Sequence, residues 1–259
     1  MMLFMKIYAL MDKGSGKTVC EDSVLIGHSV LSGGYTEWES DTESFFTAVA
    51  DGVGGNKGGA HASFYILSEL RNGTAEDIGE AGKLKAFLEK SNAELIKYAS
   101  NVDGCENMAT TLTGIYVQSG IVNLFSVGNT RLFVVNGQFL RQLTTDHTKV
   151  ADMVAMGMIT REEAADRPDS NVINACMGNG ETSYAKRLEV RDITDEAGKK
   201  PLLLTSDGIH DYLSPDEMED IISGNKNIRE RLTALKESAR NKGSQDDISA
   251  VWIEREENG

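Results

Sequence analysis

Basic charge is the first thing this sequence lacks: 26 Lys and Arg stand against 40 Asp and Glu, a formal net charge of −14. So acidic a chain lacks the clustered cations that neutralise a phosphate backbone, which excludes nucleic-acid binding as a function class. The same sign disfavours adsorption on an anionic membrane surface. Cysteine is scarce too. Cys20, Cys105 and Cys176 are far apart and form no C-x-x-C, so neither a disulfide framework nor a zinc knuckle is indicated. That usage fits a reducing cytoplasm, the expected compartment. Only 3 prolines accompany 26 glycines, so turns fall mainly to glycine. No apolar run approaches a membrane span. The apolar start Met1-Met2-Leu3-Phe4-Met5 is broken by Lys6 and has neither the length nor the cleavage pattern of a secretion signal.

What is present suits a packed core: 40% hydrophobic residues with a mean hydropathy of −0.29. The length of 259 residues fits one large domain or two small ones. No Pro- or Ser-rich linker, repeat or low-complexity tract divides it. β-branched and aromatic runs predict strands over 5–10, 24–27, 45–50, 112–118, 121–127, 132–135, 202–205 and 248–253. Ser119-Gly120 and Asn136-Gly137 follow such runs and predict an antiparallel meander in the middle of the chain.

Helical spacing puts Leu84, Phe87, Leu88, Ser91, Leu95 and Tyr98 on one face, and Ile228, Leu232, Leu235 and Ala239 on another. Residues 60–71 also read as helix. Ser214-Pro215-Asp216-Glu217 combines an N-cap serine, a first-turn proline and a glutamate three residues after the cap, which is a capping box. Because strands come in runs with helices between them, the pattern predicts an α+β fold over a regularly alternating parallel sheet. The stretch 29–44, carrying Glu37, Glu39, Asp41 and Glu43, is expected to be a solvated excursion.

Gly14-Ser15-Gly16-Lys17-Thr18 has the look of a phosphate-binding loop but fails its mechanism. That loop needs a glycine five residues before Gly16, where Met11 stands, and a helix behind it whose N-terminus faces the phosphates. The residues that follow read as strand. A glycine turn presenting Lys17 is the better reading.

Carboxylates at strand ends are the more informative feature. The run 45–50 leads into Asp51-Gly52, and the run 202–205 leads, after Ser206, into Asp207-Gly208. Asp22 precedes the run 24–27, and Asp246-Asp247 precede the run 248–253. One aspartate after a strand is ordinarily a turn former. Four beside strands from separate parts of the chain can converge on one sheet edge, where they repel unless a cation lies between them. Oxygen donors with no His or Cys at ligand spacing select Mg²⁺ or Mn²⁺ over Zn²⁺. His28, His61, His147 and His210 are therefore expected at the surface or in packing. An aspartate-lined pair of such ions is suited to phosphoester hydrolysis.

The motifs as a set resemble the metal-dependent protein phosphatases of the 2C type, in particular their bacterial branch. Those that carry the resemblance run in order: Lys17-x-x-x-Glu21-Asp22, Ala50-Asp51-Gly52-Val53-Gly54-Gly55, Ala62-Ser63 and Met108-Ala109-Thr110-Thr111-Leu112. Then come Val127-Gly128-Asn129-Thr130-Arg131, Leu143-Thr144-Thr145-Asp146-His147-Thr148, Asn171-Val172-Ile173 and Met177-Gly178. The last are Leu204-Thr205-Ser206-Asp207-Gly208-Ile209-x-Asp211 and Ser244-Gln245-Asp246-Asp247-Ile248-Ser249.

The resemblance implies a four-layer sandwich, two central antiparallel sheets flanked by helices, forming a single domain over 1–259 with a mobile flap at about 148–177. It implies two Mn²⁺ or Mg²⁺ ions, with Asp22, Asp51 and the Gly52 carbonyl on one side of the pair and Asp207 and Asp246 on the other. Glu21 would act through metal-bound water. In that family a hydroxide bridging the metals attacks phosphorus in line, without a phosphoenzyme. Phosphorylated proteins, among them the targets of a Ser/Thr kinase, are the implied partners in a signalling role, and a monomer is expected.

Three departures from the family's pattern stand out. Lys17 takes the place of an arginine that clasps the substrate phosphate, so a point charge replaces a bidentate fork. Asn129 replaces an aspartate that helps hold a third metal, so a third ion at Asp211 is expected to bind weakly. Asp247 stands where Asn is commoner; it would either strengthen the metal site or face solvent. The first two leave open an alternative from another class, a catalytically weak or inactive phosphoprotein-binding domain of the same fold.

Overall fold

The near-continuous apolar runs have cover on both faces. The computed structural model describes residues 5–40, 44–53, 58–73, 78, 81–165, 167, 169–179, 187–224 and 226–255. One six-stranded antiparallel sheet contains β1 (Met5–Asp12), β4 (Gly34–Glu39), β10 (Arg131–Asn136), β11 (Phe139–Gln142), β14 (Leu202–Thr205) and β15 (Ile248–Arg255), in the order β11-β10-β14-β15-β1-β4. The other contains β2 (Ser23–Ile26), β3 (Ser29–Leu31), β5 (Ser44–Ala50), β8 (Leu112–Gln118), β9 (Ile121–Val127) and β13 (Glu189–Asp192), in the order β13-β9-β8-β5-β2-β3. A small third sheet joins β6 (Gly52–Val53), β7 (Ala109–Thr110) and β12 (Met177–Gly178).

Side chains alternate between two layers of core. From β15, Val251 and Ile253 enter the core between the two large sheets, with Val49 of β5 and Leu124 of β9. Trp252 points the other way, beneath α7 (Pro215–Ser223) and α8 (Ile228–Asn241), against Met218, Ile222, Leu232 and Leu235. On the far side, Phe46 and Phe125 pack under α1 (Gly58–Asn72) and α2 (Ala81–Ala99). The result is the expected α+β sandwich, helices outside and sheets within. Among the described residues four short helices follow: α3 (Lys149–Ala155), α4 (Arg161–Ala165), α5 (Thr194–Ala197) and α6 (Asp207–His210). No helix among the described residues is long and apolar enough to cross a membrane.

Phe125 is fully buried and meets Phe46 edge-on at 5.9 Å. Phe125→Ala should cost about 3–5 kcal/mol, the range for emptying a buried aromatic site. A urea midpoint shift well under that range would show that the helical layer collapses into the gap.

The structure corrects three local expectations. The stretch 29–44 is not simply an excursion: β3 and β4 lie in it as edge strands of the two different sheets, with Glu37 and Glu39 on the exposed side, while Asp41 and Glu43 fall outside the described residues. The central meander is two hairpins, not one. Ser119 and Gly120 turn β8 into β9 with φ of 50° and 86°, and Gly137 (φ 67°) turns β10 into β11, but the chain changes sheets between β9 and β10. Tyr98 leaves its helix's buried face and stacks on Tyr65 near the surface, ring centroids 4.9 Å apart. The capping box at Ser214 forms as the sequence requires.

Strand register positions the acidic residues. Ser23 pairs with Ala50, so Asp22 and Asp51 leave the second sheet side by side. Thr205 pairs with Ala250 in the first sheet, so Asp207 and Asp246 lie beyond the same end. Asp12 pairs with Ile248, which carries the Gly14–Lys17 turn onto Asp246 and Asp247.

Candidate metal centre

Every group at this edge is held by backbone that has little freedom. Asp51 follows β5 directly; its N–H donates to Thr111 Oγ1 at 3.0 Å and its carbonyl accepts from Thr111 N at 2.8 Å and Thr110 Oγ1 at 2.9 Å. Gly52 N donates to Glu21 O at 3.1 Å, and a Cβ on Gly52 would lie 2.4 Å from the Gly59 carbonyl. Gly208 is equally constrained, since a Cβ there would lie 2.0 Å from Asp247 O. Glycine is what allows α6, and Asp207 with it, to approach the start of β15.

A cavity of about 270 Å³ opens between these elements, lined by Lys17, Glu21, Asp51, Asn129, Asp207 and Asp246 together with Gly52, Val53 and Thr111. Asn171 and Ile173 close it from the segment after α4. Asp22 stands behind the wall, 1% exposed, with Oδ2 accepting from Ser249 Oγ at 2.7 Å across the two sheets. Asn129 Nδ2 donates to Asp207 Oδ2 at 3.1 Å.

Burial and mutual charge dominate the electrostatics. Desolvation pushes Asp22 up to about 7, with Asp247 and Asp207 adding to the rise while Ser249 and Ser206 oppose it. Desolvation, then the charges of Asp207, Asp22 and Asp246, raise Asp51 well above the carboxylate range. Asp207 is raised by desolvation and by Asp246, against hydrogen bonds from Asn129 and Asp51 and the charge of Lys17. Such carboxyls favour any cation that replaces their protons. Among the described residues, no three His, Cys, Asp or Glu side chains form a ready cation cage. The cation that stands at the outer carboxylates is Lys17, whose Nζ donates to Asp246 Oδ1 at 2.6 Å, Asp247 Oδ2 at 2.9 Å and Glu21 Oε2 at 3.2 Å.

Asp247 corrects one of the two readings offered for it, that it faces solvent. It neither faces solvent nor enters the cavity; at 2% exposure it accepts from Gly14 N at 2.7 Å and Glu21 N at 2.8 Å, pinning the Lys17 turn to the site. That turn, with Gly16 at φ 80°, runs into β2 with no helix behind it, as the failed phosphate-loop reading requires. Asp211 is exposed at the C-cap of α6, close enough to Asp207 for their charges to interact. Gly54 and Gly55 of the Asp51 motif lie outside the described residues.

The histidines are structural or exposed. His147 accepts from Gly128 N through Nδ1 at 3.1 Å, and His210 Nδ1 lies 2.8 Å from Thr205 Oγ1. His28 and His61 are exposed, and Cys20, Cys105 and Cys176 are all thiols. Sequence reasoning assigned no role to Thr111, Asn171 or Ile173, although their motifs were visible. It missed the Asp22–Ser249 bridge as well. Residues 148–173 are tied down at their ends, with a bridge between Thr148 and Ile173 and Arg187 held to Asp152 at 2.8 and 2.9 Å and to Asn174 at 2.6 Å.

Comparison with known proteins adds a family. The model of the family described as protein phosphatase 2C matches residues 16–250. The serine/threonine phosphatase stp of Listeria welshimeri is 28% identical over 235 residues, covering 88% of this chain and 90% of that one. The crystal structure of Stp1 from Staphylococcus aureus, a serine/threonine phosphatase, superposes with a TM-score of 0.80 at 26% identity, over 97% of this chain and 95% of that one. A catalytic domain of the serine threonine protein phosphatase PstP, solved with two manganese ions, gives a TM-score of 0.75 at 25% identity, over 98% of this chain and all of that one.

Proposed function

Because this chain belongs to the protein phosphatase 2C family, we propose that it hydrolyses phosphoserine and phosphothreonine in proteins with the help of two divalent cations. The observation that carries this reading is the convergence, fixed by strand register, of Asp22, Asp51, Asp207 and Asp246 on one edge, with the first three carrying raised carboxyls. An all-oxygen set of clustered carboxylates fits hard cations such as Mn²⁺ or Mg²⁺. Asp51 and the Gly52 carbonyl would hold one ion, with Asp22, expected as a ligand but set behind the cavity wall, supporting them from there; Asp207 and Asp246 would hold the other, and Glu21 would contribute through water. When bound, such ions supply Lewis acidity at the phosphoryl oxygens and lower the pKa of water.

The chain's own residues do the rest. Asn129 donates to Asp207 Oδ2 and so fixes the carboxylate that lines the cavity. Lys17 at the rim supplies the positive charge that attracts a phosphate into an otherwise negative cavity. Asn171 and Ile173 contribute a polar and an apolar side chain to the same cavity wall. Asn129 offers an amide where a third cation would need charge, so Asp211 alone makes a weak third site. The non-catalytic alternative is not favoured, since relatives spanning nearly the whole chain are phosphatases by name.

The test is hydrolysis of an aryl phosphate and of a phosphothreonine peptide. Turnover should require Mn²⁺, vanish with EDTA and return with fresh Mn²⁺. Metal-independent turnover, or none at high enzyme, would overturn the reading.

A further inference from the structure

Lys17 is the basic side chain in the cavity wall, yet its ammonium does not reach outward for a ligand. Its Nζ lies 2.6 Å from Asp246, 2.9 Å from Asp247 and 3.2 Å from Glu21, so three carboxylates take up its three donors. We infer that Lys17 is a built-in counter-cation: it holds Asp246 until a divalent ion takes that carboxylate, and the exchange is what frees the ammonium for substrate phosphate. This rests on the metal-centre reading above.

The surroundings favour exchange over a permanent ion pair. The turn that carries Lys17 is pinned without its side chain, because Asp247 accepts from Gly14 N and Glu21 N, and Lys17 N donates to Gly14 O at 3.3 Å. Release of the ammonium therefore needs only rotation of a flexible four-carbon stem. The two outer partners differ in accessibility. The Asp247 side chain is 1% exposed and keeps both backbone donors, whereas that of Asp246 is 47% exposed and open to an arriving ion. Lys17 Nζ and Asp247 N both donate to Asp246 Oδ1, at 2.6 and 2.8 Å, and a divalent cation drawn to that carboxylate repels the ammonium beside it. An arginine would grip a carboxylate through two parallel hydrogen bonds; a lysine is a point charge, which a metal ion can replace.

The experiment compares Mn²⁺ binding by the full chain and by Lys17→Met, which keeps the stem but not the charge, using isothermal titration calorimetry at neutral pH. Binding to the variant should be about tenfold tighter. Equal or weaker binding would overturn the inference and leave the metal centre standing. No Mn²⁺ binding by either protein would overturn the metal-centre reading and the inference with it. A second measurement needs no folded variant beyond signal assignment: the ¹⁵N-ammonium resonance of Lys17, slow to exchange while hydrogen-bonded, should shift or broaden on titration with Mg²⁺. A resonance unchanged at saturating Mg²⁺ would equally overturn the exchange.

Discussion

Asp207→Asn should abolish hydrolysis and at the same time strengthen the metal-free fold. The half-buried side chain interacts with both Asp246 and Asp51, and its carboxyl is raised by desolvation and by the charge of Asp246. An asparagine keeps the shape and can still accept from Asn129 Nδ2 through its amide oxygen, so the position of α6 is retained. What is lost is the charge that a cation requires. Outer partners of metal ligands are commonly worth 10–100-fold in affinity or activity, and a direct ligand more, so kcat should fall by at least about 100-fold. Removing one of several mutually repelling carboxylates should raise the melting temperature in EDTA. Full activity in the variant would show that Asp207 is not a ligand. A lowered melting temperature in EDTA would show that the clustered charges do not strain the fold.

The second large effect is a pH-dependent response to metal. Asp22 has a folded value near 7 against an ordinary 3.8, so its contribution to stability is complete below about 3.8 and is lost as pH rises through 7. Asp51 and Asp207 are raised as well and act in the same direction. His147 acts in the opposite direction. Burial, with Arg187, pushes it down to about 4, so its contribution is present above 6.5 and is lost as pH falls toward 4. His210, lowered by burial and then by Arg131, adds to that acid-side loss. The stability curve in EDTA therefore mixes two opposed trends.

The difference between curves with and without Mn²⁺ separates them, because neither histidine faces the cavity. Ion binding replaces protons on the aspartates alone, so the Mn²⁺-induced rise in melting temperature should be small at pH 5 and large at pH 8. At 100 times its Kd, each ion adds about 2.7 kcal/mol. For a chain of this size that corresponds to roughly 5–10 °C per ion. Differential scanning fluorimetry across that range checks it. An equal shift at both pH values would mean that the aspartates titrate as ordinary surface carboxylates.

Much of the fold is legible in the chain because local and tertiary preferences agree. The strands at 112–118 and 121–127 match their predicted bounds, since β-branched runs separated by Ser119-Gly120 leave a tight hairpin as the favoured conformation. The helix that begins at Pro215 is announced by its cap. Tyr98 is misjudged because helical spacing lists candidates for a buried face without saying how wide that face is. Glu37 and Glu39 mislead for a related reason. An edge strand needs only one covered face, and its acidic residues sit on the other side.

The site divides along the same line. Residue type and short-range spacing supply the inventory: carboxylates at strand ends, no His or Cys at ligand spacing, and a lysine in a glycine turn. Tertiary structure decided who meets whom. Only register across two sheets brings Asp22 beside Asp51 and Asp207 beside Asp246. Only the pairing of Asp12 with Ile248 sets Lys17 on Asp246 and buries Asp247 as the anchor of its turn. Contacts across more than 200 residues of chain carry no local signature. Their distances depend on strand pairing and burial, which exist only once both sheets have closed on their common core.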